Sequence, residues 1–291
     1  MTPLLKLLRP SHWLKNSFVF LPLFFNGSMF NPRMLFCAGI VFAMFCMVSS
    51  AVYCINDVVD READRAHPKK CRRPVASGAV SPATAVIIAA ILTILTPLTA
   101  ILTLPDAAQV ITIVAAYMLM NIAYSLWLKH MAIIDVMIIA IGFVLRVAAG
   151  GMACSISLSS WIVIMTFLVT LLIAMAKRRS DFMIQHAAGN TQRESVRDYT
   201  PLFMNVCIGM LATMSVFGYI MYSLSTAVMT AGSEYFYCTS VFVIAGILRY
   251  LMLVFGRDQG DEPVKILMHD RSIQTCIAGW VLISALMIYC P

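Results

Sequence analysis

Long apolar runs separated by short polar turns set the frame of this chain. Nine segments, at about 16–31, 34–55, 82–104, 108–127, 132–152, 160–176, 201–224, 236–255 and 273–290, are apolar almost throughout. Each approaches the roughly 20 residues an α-helix needs to cross hydrocarbon. The first is the shortest and holds Pro22, a residue that membrane helices accommodate as a kink when neighbours re-satisfy the freed carbonyl. The pattern predicts an all-α integral membrane protein, a bundle of nine transmembrane helices. No composition shift or linker divides it, so residues 1–291 read as one domain.

Composition agrees: 60% of the residues are apolar and 12% charged, well outside soluble averages. The net charge of +7 would raise nucleic acid as a partner for a soluble chain. In a membrane protein it is explained by the positive-inside rule, with anionic lipid and phosphate as partners and no nucleic acid. With the N-terminus inside, the inside segments are 1–15, 56–81, 128–131, 177–200 and 256–272. They hold nineteen of the 21 Lys and Arg, counting Arg249 near the inner end of its helix. Arg33, in an outside turn, and Arg146, within the fifth span, are the remainder. Nine helices then place the N-terminus in the cytoplasm and the C-terminus outside, as a multi-pass protein of the cell (inner) membrane. The nine cysteines are scattered without a C-x-x-C and lie mostly in apolar runs, which argues against a zinc site or a disulfide framework. No small-residue cleavage site follows Lys6, Arg9 and Lys15, so the N-terminus reads as mature sequence.

Residues 56–73 break the apolar pattern, with four acids and six Lys or Arg in eighteen positions. Read as a helix end, Asp57, Asp60 and Asp64 fall at i, i+3 and i+7 and share one face, which Asn56 overlaps. Carboxylates so close repel unless something positive sits among them. Mg2+ suits them, since it takes one or two protein oxygens and completes its octahedron with water and phosphate. The other reading is a solvated loop in which acids and bases pair. As loop acids, these residues would contribute little to packing.

Two further inside loops carry charge: Lys177-Arg178-Arg179-Ser180-Asp181 at the end of the sixth span, with Arg193 and Arg197 beyond, and residues 257–271. An acidic face and basic groups at one membrane surface meet the needs of a diphosphate leaving group, metal neutralising it while Lys and Arg clamp its oxygens. Arg146 is the one base buried in a span, a costly position that faces a bundle interior or cavity. Asp135 lies eleven residues earlier on roughly the same side, so that Asp135 would face a polar cavity while Arg146 holds a partner deeper down; a packing pair or an outward snorkel are the competing readings. His12, His67, His130, His186 and His269 all fall in inside segments and read as interfacial or structural. No Ser-His-Asp or Cys-His pair is evident.

Asn56-Asp57-x-x-Asp60-x-x-x-Asp64, followed over residues 65–78 by Arg-x-His-Pro-x-Lys-x-x-Arg-Pro-x-Ala-x-Gly, resembles the first motif of the UbiA superfamily of intramembrane prenyltransferases. The resemblance implies an all-α UbiA-type bundle in which Asn56, Asp57, Asp60 and Asp64 bind Mg2+ and the donor diphosphate. Tyr124-Ser125, Lys129 and Asp135-Val136 resemble the family's segment between its fourth and fifth helices.

Where quinone-pathway members carry a second acid-rich motif, this chain has Lys177-Arg178-Arg179-Ser180-Asp181, which suits a donor with an additional phosphate. Residues 8–23, beginning Leu8-Arg9-Pro10-Ser11-His12-Trp13-Leu14-Lys15-Asn16, and Glu262-Pro263-Val264-x-Ile266-Leu267-x-x-Asp270-Arg271 resemble the decaprenyl-phosphate phosphoribosyltransferase branch. That branch implies phosphoribosyl pyrophosphate as donor and a polyprenyl phosphate as acceptor. It implies catalytic roles for Asp57, Asp60, Asp64 and Lys177. It implies substrate contacts for Lys15, Asn16, Asn56, Arg65, Arg73, Tyr124, Lys129, Arg178, Asp181 and Arg271. The acceptor's phosphate is already anionic, so no general base is required. Prenyl transfer from a prenyl diphosphate to an aromatic or other small acceptor is the alternative. A transporter is disfavoured because the charges gather at one surface. A homo-oligomer is compatible with the chain.

Overall fold

Three of the long helices open on the same two-residue device. Asn31, Ser81 and Thr200 are extended, and their side chains accept hydrogen bonds from the backbone N–H groups of Arg33 and Met34, Thr84, and Phe203 respectively. Each is followed by a proline, whose missing N–H costs nothing at a first helical position. A computed structural model describes residues 2–66, 70–187, 199–225, 235–256 and 269–290. His67, Pro68, Lys69, Arg193, Arg197, Arg257, Glu262 and Lys265 lie outside the described residues, as does the side chain of His186.

In chain order the helices are α1 (Pro3–Leu8), a 3₁₀ segment (Pro10–Phe20), α2 (Leu21–Phe25), α3 (Pro32–Val59) and α4 (Arg61–Ala66). There follow α5 (Pro82–Thr103), α6 (Ala107–Leu126), α7 (Ile134–Ala153), α8 (Ser160–Ala187), α9 (Pro201–Ser223), α10 (Ser240–Gly256) and α11 (Arg271–Tyr289). No strand occurs among the described residues, and eight helices there are long and apolar enough to cross a membrane. The chain is a multi-pass membrane protein.

The segment expected at 16–31 is built differently from the other eight. Instead of one α-helix it is the 3₁₀ segment running into the five-residue α2, closed by a turn at Gly27 with φ 69°. Pro22 sits in the first turn of α2 and has no N–H to carry a helix through from the preceding residues. The expected end of the sixth span also moves. The helix α8 continues to Ala187, so Lys177 to Asp181 are helical and do not begin a loop. Arg178 and Arg179 are both buried with bonded partners there, so the polar stretch prolongs the helix.

The chain divides into two compact units, residues 1–129 with 142–158, and residues 130–141 with 159–291. The helix α7 contributes residues 134–141 to the second unit and the remainder to the first. In the first unit, α3 is the central helix. Val41, Met44, Phe45 and Val48 pack with Val19, Leu23, Val114 and Ala149. Nearer the acid end of α3, Ala51 and Cys54 pack with Leu7, Val75 and Ala85. In the second unit, Leu172, Met175 and Ala176 of α8 pack with Met204, Ile208, Leu253 and Ile273.

The 3₁₀ segment lies along α3 in a fixed register. Trp13 Nε1 donates to Ser50 Oγ at 3.1 Å, and Asn16 Nδ2 to Cys46 Sγ at 3.3 Å. Three residues of 3₁₀ rise about 6 Å, and so do four residues of α-helix. The two elements therefore stay in step over this stretch. His12 with Tyr53 on one side, and Phe20 with Phe42 on the other, extend the contact. On its other side Val19 meets α7 at Gly150, where a Cβ would stand 2.1 Å from the Val19 carbonyl oxygen. Only glycine fits there.

Candidate active site

The acid-bearing stretch forms where α3 ends. Asp57 lies in the last turn of α3, Asp60 is its C-cap, and Asp64 is in α4. The bonds Asp60 N–H to Asn56 O at 2.9 Å and Asp64 N–H to Asp60 O at 2.8 Å carry the helical spacing through the junction. Helical spacing puts residues seven apart on one side, and Arg73 touches both: its Nη1 lies 2.6 Å from Asp64 Oδ2 and 3.5 Å from Asp57 Oδ1. Arg9, from the start of the 3₁₀ segment, also pairs with Asp57 Oδ1.

Arg9 has a left-handed backbone, φ 52°, which costs a non-glycine residue about 1–3 kcal/mol unless its surroundings hold it. Its guanidinium stacks 4.5 Å from the Tyr53 ring centroid while paired with Asp57. Arg73 follows a short 3₁₀ turn, Lys70–Arg72, and its N–H donates to Lys70 O. Beyond it Val75 and Ala76 are buried, Arg65 Nε donates to Ala76 O at 3.0 Å, and Gly78 takes φ 79°.

Asp60 is held apart from this pair. Its Oδ1 lies 2.5 Å from Lys129 Nζ. Asp57 and Asp64 are 1% and 3% exposed, so they are buried acids of the core's edge, where loop acids were expected. Burial is affordable because each has a guanidinium partner. Among the described residues no group of three His, Cys, Asp or Glu is placed to hold a metal. Mg2+ needs only one or two carboxylates when phosphate supplies the rest. Asp57 Oδ2 is buried and has no hydrogen-bond partner, a costly state that a cation would relieve. Asp57 and Asp64 thus fit Mg2+, with Asp60 committed to Lys129 and Asn56 half-buried alongside.

The remaining expected residues of the first unit are placed less pointedly. Lys15 is half-buried in the 3₁₀ segment, and Tyr124 is half-buried near the end of α6. Asn16 is fully buried, and its amide is engaged by Cys46 and by Arg146 Nε at 2.8 Å.

In the second unit the basic stretch meets Asp135. Arg178 Nη2 lies 2.6 Å from the fully buried Asp135 carboxylate, and its Nη1 lies 3.4 Å from Asp181. Tyr199 donates to Asp135 Oδ1 at 3.2 Å and accepts from the Ile133 N–H at 2.6 Å. Burial pushes the Tyr199 hydroxyl up to about 12, so it stays protonated and donating. Arg179 Nε donates to Asn205 Oδ1 at 2.7 Å and its Nη1 to Val254 O at 3.1 Å, tying α8 to α9 and α10. Lys177 and Arg271 are exposed. Asp135 and Arg146 do not form a packing pair: Asp135 pairs with Arg178, and Arg146 bonds neutral groups in the first unit.

Sequence pattern assigns no site role to Arg9, Tyr199, Tyr117 or the Asn16–Arg146 bond. Arg9 carries a local signal, since it precedes Pro10 at the foot of an apolar run. The others depend on long-range contacts that no spacing rule reports.

The site thus joins a buried carboxylate at the end of α3 to a second in α4 through one arginine. Residues 17–270 match the model of the UbiA prenyltransferase family, and the chain belongs to that family, as an enzyme of the transferase class. It is similar to the decaprenyl-phosphate phosphoribosyltransferase of Corynebacterium glutamicum, with 32% identity covering 98% of this chain and 86% of the relative. The decaprenyl-phosphate phosphoribosyltransferase of Mycolicibacterium smegmatis is 31% identical, over 96% of this chain and 90% of that one. In fold the chain resembles a UbiA homolog from Archaeoglobus fulgidus bound to GPP and Mg2+, with a TM-score of 0.70 at 18% identity over 99% of this chain and 100% of that one.

Proposed function

We propose that this protein transfers 5-phosphoribose from phosphoribosyl pyrophosphate to a polyprenyl (decaprenyl-type) phosphate, releasing diphosphate, with Mg2+ as cofactor. The observation that carries this reading is the nearly full-length similarity, at 32% identity, to a relative named for the transfer. The acid face is consistent with it. Asp57 and Asp64 would hold the metal, and Mg2+ when bound neutralises charge on the departing diphosphate. Arg9 and Arg73 keep the two carboxylates apart from solvent and in line, and their remaining N–H groups suit non-bridging phosphate oxygens. An oxygen of the lipid phosphate forms the new bond to C1 of ribose. The C1–O bond to diphosphate breaks, and its electron pair leaves with the diphosphate. Because the nucleophile is anionic, the reaction needs no general base.

The charge distribution supports an N-terminus in the cytoplasm and an active site on the cytoplasmic face of the cell membrane. A soluble sugar diphosphate would meet the enzyme there. The test is a transfer assay with purified protein, Mg2+, labelled phosphoribosyl pyrophosphate and mixed polyprenyl phosphates. Label entering the lipid phase, and lost on chelation, is the expected result. Consumption of a prenyl diphosphate with an aromatic acceptor, and no transfer of ribose label, would overturn the reading.

A further inference from the structure

Arg146 is 6% exposed at the middle of α7 and, among the described residues, has no carboxylate partner. Its guanidinium instead bonds three neutral oxygens: Nε to Asn16 Oδ1 at 2.8 Å, Nη1 to Gly142 O at 2.7 Å and Nη2 to Tyr117 Oη at 2.8 Å. The rings of Tyr117, Phe143 and Phe45 surround it, with centroids 4.7, 5.1 and 5.5 Å away. A cation at this depth is costly to bury. One that is bonded yet left without a counter-charge is retained for its geometry, because a planar fork fixes three acceptors relative to one another.

What the fork fixes is the 3₁₀ segment. A 3₁₀ helix of eleven residues is weakly bonded internally, and its polar grips on α3 at Trp13 and Asn16 repeat every turn. Ser50 is flanked by Cys46 and Cys54, one α3 turn to either side. A slip of one turn that brings Trp13 to Cys54 and Asn16 to Ser50 would leave both side chains a polar partner, at the loss of the Arg9–Asp57 pair. The bond from Arg146 to Asn16 does not repeat, since it comes from α7. It lies one turn before Gly150, where Val19 abuts the same helix. We infer that Arg146 is a positioning residue: through Asn16 it locks the register of the 3₁₀ segment on α3, and so seats Arg9 on Asp57.

The register has a built-in ruler. A Trp13→Cys, Ser50→Cys protein places thiols at two positions whose native side chains meet at 3.1 Å, and the native Cys46 and Cys54 report a slip in either direction. Mild oxidation in membranes, followed by peptide mass spectrometry, reads which pair forms. With Arg146 present the 13–50 disulfide dominates. With Arg146→Gln its yield falls at least about fivefold and bonds from position 13 to Cys46 or Cys54 appear, because a one-turn slip moves the thiols about 5 Å, beyond disulfide reach. Arg146→Lys and Asn16→Ala, which disturb packing less, give the same shift in smaller measure and carry the test if the glutamine variant does not fold. An undiminished 13–50 bond in folded variants would overturn the inference.

The last clause of the inference, that the lock serves Asp57, rests on the proposed transfer reaction. It is read separately: in an Arg9→Met background, Arg146→Lys should lower turnover no further, whereas independent losses would multiply. Because the cross-link needs no turnover, failure of the register lock and failure of the proposed reaction are distinguishable.

Discussion

Arg178 and Asp135 form an ion pair of 2.6 Å between α8 and α7, with Asp135 fully buried. The pair divides a stretch of three bases that looks uniform in the sequence. Arg178 balances an interior carboxylate, Arg179 bonds Asn205 and the Val254 carbonyl, and Lys177 is the exposed member.

Lys177 is accordingly the base of this stretch to test against donor phosphate. Lys177→Ala should raise the KM for phosphoribosyl pyrophosphate about tenfold, the worth of one charge-assisted contact, and leave the melting temperature unchanged. Arg178→Ala should instead lower the melting temperature, because it strands Asp135 without its cation. Thermal melts and donor titrations on the two variants separate these outcomes. A melt unaffected by Arg178→Ala would show that the pair does not stabilise the fold.

Asp57→Asn is expected to reduce transfer at least about a hundredfold, in the range of losing a central electrostatic group. Its cost to the fold is moderate, since Arg9 loses a buried partner but remains partly exposed. Asp64→Asn should behave alike because Arg73 holds both acids. Label-transfer rates beside melting curves provide the measurement; wild-type rates in either variant would remove the acid pair from the site.

Metal dependence can be followed without turnover. Mg2+ together with phosphoribosyl pyrophosphate at about 100 times its Kd should stabilise the protein by about 2.7 kcal/mol. The same donor with a chelator should shift the melt little, and Asp57→Asn should abolish the shift. Equal stabilisation with and without metal would argue against a metal-held diphosphate.

The Arg249 guanidinium, 2.7 Å from Asp270, holds that carboxyl below the usual carboxylate range. Asp270 also caps α11 by accepting from the Ile273 N–H. A depressed folded pKa means the contribution is present above about pH 4, the unfolded value, and is lost as pH falls through the lower folded value. The melting temperature of wild type should therefore exceed that of Asp270→Asn at neutral pH, and the gap should close only below about pH 4. Melts from pH 7 down to pH 3 test this; a gap closing above pH 5 would contradict the pairing.

The legible part of the structure is what local pattern encodes. Apolar run lengths place α5 to α7 and α9 to α11 within a few residues, because each is bounded by a cap, a proline or a charge. Helical spacing puts Asp57, Asp60 and Asp64 on one face; Arg73 joins Asp57 and Asp64 there, whereas Asp60 turns to Lys129. What stayed hidden has a physical reason in each case. Hydropathy does not record rise per residue, so the 3₁₀ segment has the pattern of an ordinary span with a kink. Arg9 and Asp57 are 48 residues apart, and only tertiary packing brings them into contact. Lys177 to Asp181 resembled a loop because buried arginines are rare, and their burial depends on Asp135, Asn205 and Val254 from other helices.

The matched pitch of the 3₁₀ segment and α3 also governs which length changes the chain can absorb. Deleting one residue between Arg9 and Phe20 would turn everything before it by about 120° and carry Trp13 or Asn16 off α3. Deleting three would restore the face but draw Arg9 about 6 Å along, one full turn of α3 short of Asp57. Neither loss is recoverable by adjusting a side chain. In this stretch, then, spacing is under tighter constraint than residue identity, and homologous chains that keep the site should differ here by substitution and not by insertion or deletion.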